Sequence, residues 1–150
     1  VIVGSSDSAV VQELGAARVE NNEIRSVGGD QGDFCVRTSG AGVVTGNSLQ
    51  LCFGIQVSQG TADGAAENNV IEFPRRRGVD VQSGTDYRVD GNEITGDAVV
   101  GVRIRAGASD TEVVNNTIDG SLQDICNDGV GTTFQSNDFT TGGAGEACID

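Results

Sequence analysis

The sequence predicts an all-β solenoid, one domain over residues 1–150, wound into about six stacked coils. Three observations predict it. First, one phrase recurs six times: apolar, two polar or small residues, Asn, any residue, apolar. Its copies are Val19-Glu-Asn-Asn22-Glu-Ile24, Val44-Thr-Gly-Asn47-Ser-Leu49, Ala66-Glu-Asn-Asn69-Val-Ile71, Val89-Asp-Gly-Asn92-Glu-Ile94, Val113-Val-Asn-Asn116-Thr-Ile118 and Phe134-Gln-Ser-Asn137-Asp-Phe139. The asparagines are 25, 22, 23, 24 and 21 residues apart, a period that marks repeats stacking on their neighbours. Second, a strand-like phrase lies between the asparagines, as Gly54-Ile-Gln-Val57, Gly78-Val-Asp-Val81 and Gly101-Val-Arg-Ile104. Third, the chain has 23 Gly, one Pro and neither Met nor Trp, and its Val and Ile favour strands joined by turns.

Each coil is expected to hold three short strands. One carries the Gly-Ile-x-Val phrase, whose apolar residues two apart give a single buried face. Weaker copies are Phe34-Cys-Val36, Asp124-Ile-Cys126 and Ala147-Cys-Ile149. A second strand ends near the apolar residue three before the Asn. The third begins at the apolar residue two after it. The Asn itself is placed at the corner, where its tolerance of left-handed backbone suits a sharp turn. Its amide can bond the same group in the coils above and below, so Asn22, Asn47, Asn69, Asn92, Asn116 and Asn137 are expected to form a ladder.

Three inward columns follow. Val19, Val44, Ala66, Val89, Val113 and Phe134 form one; Ile24, Leu49, Ile71, Ile94, Ile118 and Phe139 form another; Ile55, Val79 and Val102, with their partners two residues on, form the third. Before the first ladder Asn, Val10 to Val19 reads either as a poor amphipathic helix weakened by Gly15 or as a strand at Val10-Val11. At the two ends, Val1-Ile2-Val3 and Ala147-Cys148-Ile149 both read as the Gly-Ile-x-Val strand. The chain would then start and stop at the same point of the coil, and a second copy could continue the stack. Repeated contacts of that kind do not close and generate filaments.

Four cysteines with no CxxC and no His argue for two disulfides and an oxidising compartment rather than a zinc site. The register places Cys126 and Cys148 in one strand position a coil apart, and Cys35 and Cys52 in consecutive coils, so 35–52 and 126–148 are the expected pairs. Bridges between subunits through Cys148 are the alternative.

In combination, the Asn corner and the Gly-Ile-x-Val strand resemble the right-handed parallel β-helix. This is the architecture of pectate-lyase-like proteins and of the short parallel β-helix repeat of secreted bacterial proteins. The resemblance runs from Val19 to Ile149 and supplies the handedness. Leucine-rich repeats share the period but need several Leu per repeat, whereas this chain has only Leu14, Leu49, Leu51 and Leu122.

Charge narrows the partners. The formal net charge is −13 and all nine basic residues are Arg. Such a surface disfavours nucleic acid and anionic membranes, and no apolar run is long enough to cross a bilayer. Arg75-Arg76-Arg77 is the one basic run. The register sets Arg103 over Asp80 and Arg105 over Gln82 on the outside of the same sheet. Salt bridging between coils accounts for this face, and an anionic polysaccharide is the functional alternative, because Arg pairs bidentately with carboxylates. In pectate-lyase-like enzymes substrate lies along this outer face, with carboxylates holding calcium and an Arg or Lys as base. The resemblance implies that location and no more: His is absent, Tyr87 is the one Tyr, and no pair of acids is placed for proton transfer.

The sequence therefore points to a non-enzymatic structural solenoid, secreted or displayed on a prokaryotic surface, with no cofactor and no metal. It would stack on itself head-to-tail into a filament or form an adhesin stalk, with Val1, Ile2, Val3, Ala147 and Ile149 at the contact. A carbohydrate-binding or polysaccharide-active β-helix using Arg75–Arg77 and Arg103 is the alternative.

Overall fold

A computed structural model of the chain is all-β and describes residues 17–25, 34–140 and 148, together with the backbone of 2–3 and 10–11. The chain circulates through three parallel sheets in a fixed order. Sheet 1, which follows the ladder asparagines, contains Ile2–Val3, Glu23–Arg25, Ser48–Gln50, Val70–Glu72, Glu93–Thr95, Thr117–Asp119 and Asp138–Phe139. Sheet 2 contains Val10–Val11, Val36–Gly40, Ile55–Gly60, Arg77–Thr85, Val100–Ser109 and Gln123–Asn127. Sheet 3, which leads into the asparagines, contains Arg18–Glu20, Val43–Thr45, Ala65–Glu67, Arg88–Asp90, Glu112–Val114 and Thr133–Gln135. Six strands in each of sheets 2 and 3 make six layers and five stacking steps. Val10–Val11 is a strand paired with Val36–Arg37, so the helical option there is discarded.

Strict one-to-one register aligns the repeats. Ile24, Leu49, Ile71, Ile94, Ile118 and Phe139 face one another along sheet 1. Val19, Val44, Ala66, Val89, Val113 and Phe134 do so along sheet 3. Ile55, Val79, Val102 and Ile125 line up in sheet 2, with Val57, Val81 and Ile104 two residues on. These columns are buried until the last layer, where Phe134 and Phe139 are only partly covered. Removing this apolar surface from water, at about 25 cal/mol per Å², is what holds the coil closed. Tyr87 completes the core at the corner between sheets 2 and 3. Its ring lies over Gly60 and Gly64, where an added Cβ would sit 2.7 Å from ring carbons.

The asparagine ladder is continuous and directional. Asn47 donates through Nδ2 to the Val19 carbonyl at 2.8 Å and to Asn69 Oδ1 at 3.0 Å. Its own Oδ1 accepts from the backbone N–H and the Nδ2 of Asn22 at 2.9 and 3.1 Å. The pattern repeats through Asn69, Asn92 and Asn116 to Asn137. Buried amides are thereby paired without help from solvent.

Three expectations need correction. The left-handed residue at this corner is not the ladder Asn but the one before it: Asn21, Gly46, Asn68, Gly91, Asn115 and Ser136 have φ between 53° and 64°. The ladder Asn must turn its side chain inward, so its neighbour makes the bend. That neighbour alternates for a steric reason. A Cβ at Gly46 would meet Asn21 Oδ1 at 2.6 Å, and one at Gly91 would meet Asn68 Oδ1 at 2.7 Å. Next, Ile2–Val3 pairs with Ile24–Arg25 in sheet 1, not with a Gly-Ile-x-Val strand of sheet 2. Cys148 is joined to Cys126 of sheet 2. Val-Ile-Val fits either sheet by its period of two, and only the spacing to Ile24 decides. Val1, Ala147 and Ile149 lie outside the described residues. Third, the weak copy at Phe34 is slipped: Val36, not Phe34, pairs with Ile55.

Candidate functional site

The arginine face lies outside sheet 2. Strand alternation puts Val79 and Val81 in the core, so Asp80 between them points outward. Asp80 is nevertheless fully buried. Arg105 covers it bidentately, Nε to Oδ1 at 2.9 Å and Nη2 to Oδ2 at 2.8 Å. Arg77 Nη1 approaches Oδ2 at 3.5 Å. Arg103 is the backbone register partner of Asp80, as expected, and is also buried. The clamp on Asp80 is nonetheless made by Arg105, two residues beyond the register partner on the neighbouring strand; the pairing becomes irregular between Val81 and Ser83, so no register partner is assigned to Gln82. Burial lowers the Arg77 guanidinium below its ordinary value; Asp80 opposes this, while Arg105, Arg103 and Arg76 add to it. Arg75 and Arg76 are exposed on the turn leading into this strand. The face is thus a buried carboxylate ringed by guanidinium groups, with two further arginines on the corner beside it.

Other parts of the same face are linked to it. Arg37 stands 5.7 Å over the ring of Phe34, which meets Phe53 edge-on at 5.8 Å. Cys126 is the register partner of Arg103 and is bonded to Cys148; Cys35 is bonded to Cys52. Both pairs are those expected from the register. They tie sheet 2 near its two ends. Asp124 is buried too, and accepts from the backbone N–H and hydroxyl of Thr140 at 2.8 and 3.3 Å.

A second polar area lies outside sheet 3. Arg88, Glu112, Val114, Asn115, Thr133 and Gln135 line a shallow recess of about 220 Å³. Arg88 is held by Asp90 at 2.8 Å, Glu112 at 3.2 Å and Glu67 at 4.0 Å. Its hydrogen bond to Asp90 is the largest cause raising its pKa. Asp90 is lowered: burial pushes it up, but hydrogen bonds from Asn115 and Arg88 and the Arg88 charge together outweigh that. The Glu67 and Glu112 pairs bridge coils and the Asp90 pair lies within one strand, all on an exposed face where each adds little. Among the described residues no group of three or more His, Cys, Asp or Glu could hold a metal ion.

Sequence reading missed the corner between sheets 1 and 2. Leu51 and Phe73 have φ of 58° and 50° and are 42% and 54% exposed. Their column continues as Gly96 and Gly120, also at positive φ. The signal was present as two large apolar residues in a position that other coils fill with Gly.

With the three sheets, the ladder and the corner geometry established, the comparisons with known proteins become specific. The family described as right handed beta helix region matches residues 2–118, which is 117 of the 150 residues. The chain belongs to this family. No curated protein and no solved structure matches it. For this β-helix the family fixes the winding and leaves the choice of ligand to the residues just described.

Proposed function

We propose that this β-helix is a structural module of a secreted or surface-displayed prokaryotic protein. It lengthens by end-on stacking, either as a filament of identical copies or as part of an adhesin stalk. The carrying observation is the state of the last layer. Val113 and Ile118 are buried by the coil that follows them, whereas Phe134 and Phe139 are only partly covered. The ladder points the same way: each earlier Asn donates to the next Asn Oδ1, and Asn137 has no such acceptor among the described residues. A further coil from a second copy would supply both. The two disulfides favour an oxidising compartment. Sedimentation velocity on the wild type and on Phe134→Ser/Phe139→Ser tests the reading. At high salt, elongated species growing with concentration are expected for the wild type and should vanish in the variant. A wild type that remains a single chain throughout contradicts it.

A second reading rests on the exposed Arg75 and Arg76 beside the Asp80 cluster. Here the β-helix binds an anionic polysaccharide on that corner. Arg76→Ala should then abolish retardation in gels containing polyuronate. Arg103 is a poor choice of variant because it is enclosed.

A further inference from the structure

Of the five large apolar side chains exposed among the described residues, three lie on the corner between sheets 1 and 2: Leu51, Phe73 and Leu122. Leu51 and Phe73 occupy successive layers of one column, since each donates its N–H to the strand end one coil on, Leu51 to Glu72 and Phe73 to Thr95. Gly96 continues that column by donating to Asp119. Leu51, Phe73, Gly96 and Gly120 all have left-handed backbone. Gly meets that need without strain, and Gly96 and Gly120 are Gly. Leu and Phe there cost twice, in backbone strain and in apolar surface left in water. Folding alone favours neither. Arg75 and Arg76 stand exposed next to Phe73, so the Phe73 layer of this corner is apolar and basic, while exposed Asp97 and Asp119 lie in the coils that follow, in a chain of net charge −13.

The opposite corner, between sheets 2 and 3, has the complementary chemistry. Exposed Asp63, Asp86 and Asp110 precede Gly64, Tyr87 and Thr111, which follow one another in a single column through backbone hydrogen bonds from Arg88 to Gly64 and from Glu112 to Tyr87. In the next layer stand exposed Asp128 and Val130, the latter 70% exposed. The two corners flank the same sheet. Each of the coils that places Leu51, Phe73 or Leu122 on one side places an Asp on the other, over three steps, or about 14 Å at ~4.8 Å per step.

We propose that the basic apolar corner docks on the acidic corner of a second copy, side by side and layer against layer, with the solenoid axes parallel. The contact is heterologous and does not close, so it builds a raft. It is independent of end-on stacking, which uses Phe134 and Phe139.

Sedimentation velocity at low and high salt tests the proposal on the full chain. The Phe134→Ser/Phe139→Ser chain, which lacks end-on stacking, should associate at low ionic strength and dissociate as salt screens the charges. Added to Phe134→Ser/Phe139→Ser, which removes end-on stacking, Arg76→Glu alone and Asp63→Arg/Asp86→Arg alone should each remain single chains at low salt, while their mixture with each other associates through the one corner of each that is intact. Phe73→Gly separates docking from folding: its thermal midpoint should hold or rise because strain is removed, and its association should fall at least tenfold. A Phe134→Ser/Phe139→Ser chain that stays single at low salt, or Phe73→Gly in that background associating as well as its parent, overturns the proposal. So does a single-chain wild type that binds vesicles of anionic phospholipid through Phe73 and Arg76, which would make the corner a lipid surface.

Discussion

At the scale of single residues, the ladder position of an Asn sets its worth. Asn92 accepts two hydrogen bonds from Asn69 and donates to Ala66 and Asn116. Asn92→Ala strands the buried Asn69 groups and the Ala66 carbonyl, at roughly 2–4 kcal/mol. Asn137→Ala, at the last described coil, strands the corresponding Asn116 groups and Val113 carbonyl at part-buried bonds that water can reach, and should cost about 1 kcal/mol. Urea midpoints of the two variants check this ordering; equal costs would show that the amides act singly rather than as a ladder. Asp90 gives the pH dependence. Its pKa lies below the ordinary 3.8, so its contribution is complete above the unfolded value and is lost as pH falls through the lower, folded one. Asp90→Asn should therefore flatten that acid limb of the unfolding curve. The ladder was legible because six asparagines share one context. The bend beside it was readable too, in the run Asn, Gly, Asn, Gly, Asn, Ser before them, but the ladder Asn seemed able to do both tasks. Only the demand that its side chain face inward separates the two roles.

At the scale of strands and corners, packing alternation was readable and local slippage was not. Val36 pairs with Ile55 although Phe34 looked equivalent, because two residues of loop length move a strand without changing its period. The same ambiguity misplaced Ile2–Val3, and the register alone did not show that Arg105, rather than the register partner Arg103, clamps Asp80. The disulfides brace this level of structure. Cys126 lies in the last described strand of sheet 2 and its bridge to Cys148 spans 22 residues. Cys126→Ser/Cys148→Ser should lower stability by about 2–4 kcal/mol. Hydrogen exchange should accelerate first in Gln123–Asn127 and Thr133–Gln135, with the central coils protected. Uniform loss of protection across all layers would contradict a stack that frays from its end.

At the scale of the whole molecule, the fold was legible because every coil repeats one solution and each repeat reinforces the next. Function was less so. A site on a solenoid is made by neighbours about 24 residues apart, and the contrast between the apolar basic corner and the acidic corner appears only once the coils are in register. The account's central claim is that this surface and its last layer serve assembly. Electron microscopy of the wild type over a range of concentration and salt, with fibre diffraction of the same sample, tests that claim most directly. Rods with an axial spacing near ~4.8 Å, lengthening with concentration, are the predicted result; discrete single particles under every condition would contradict it.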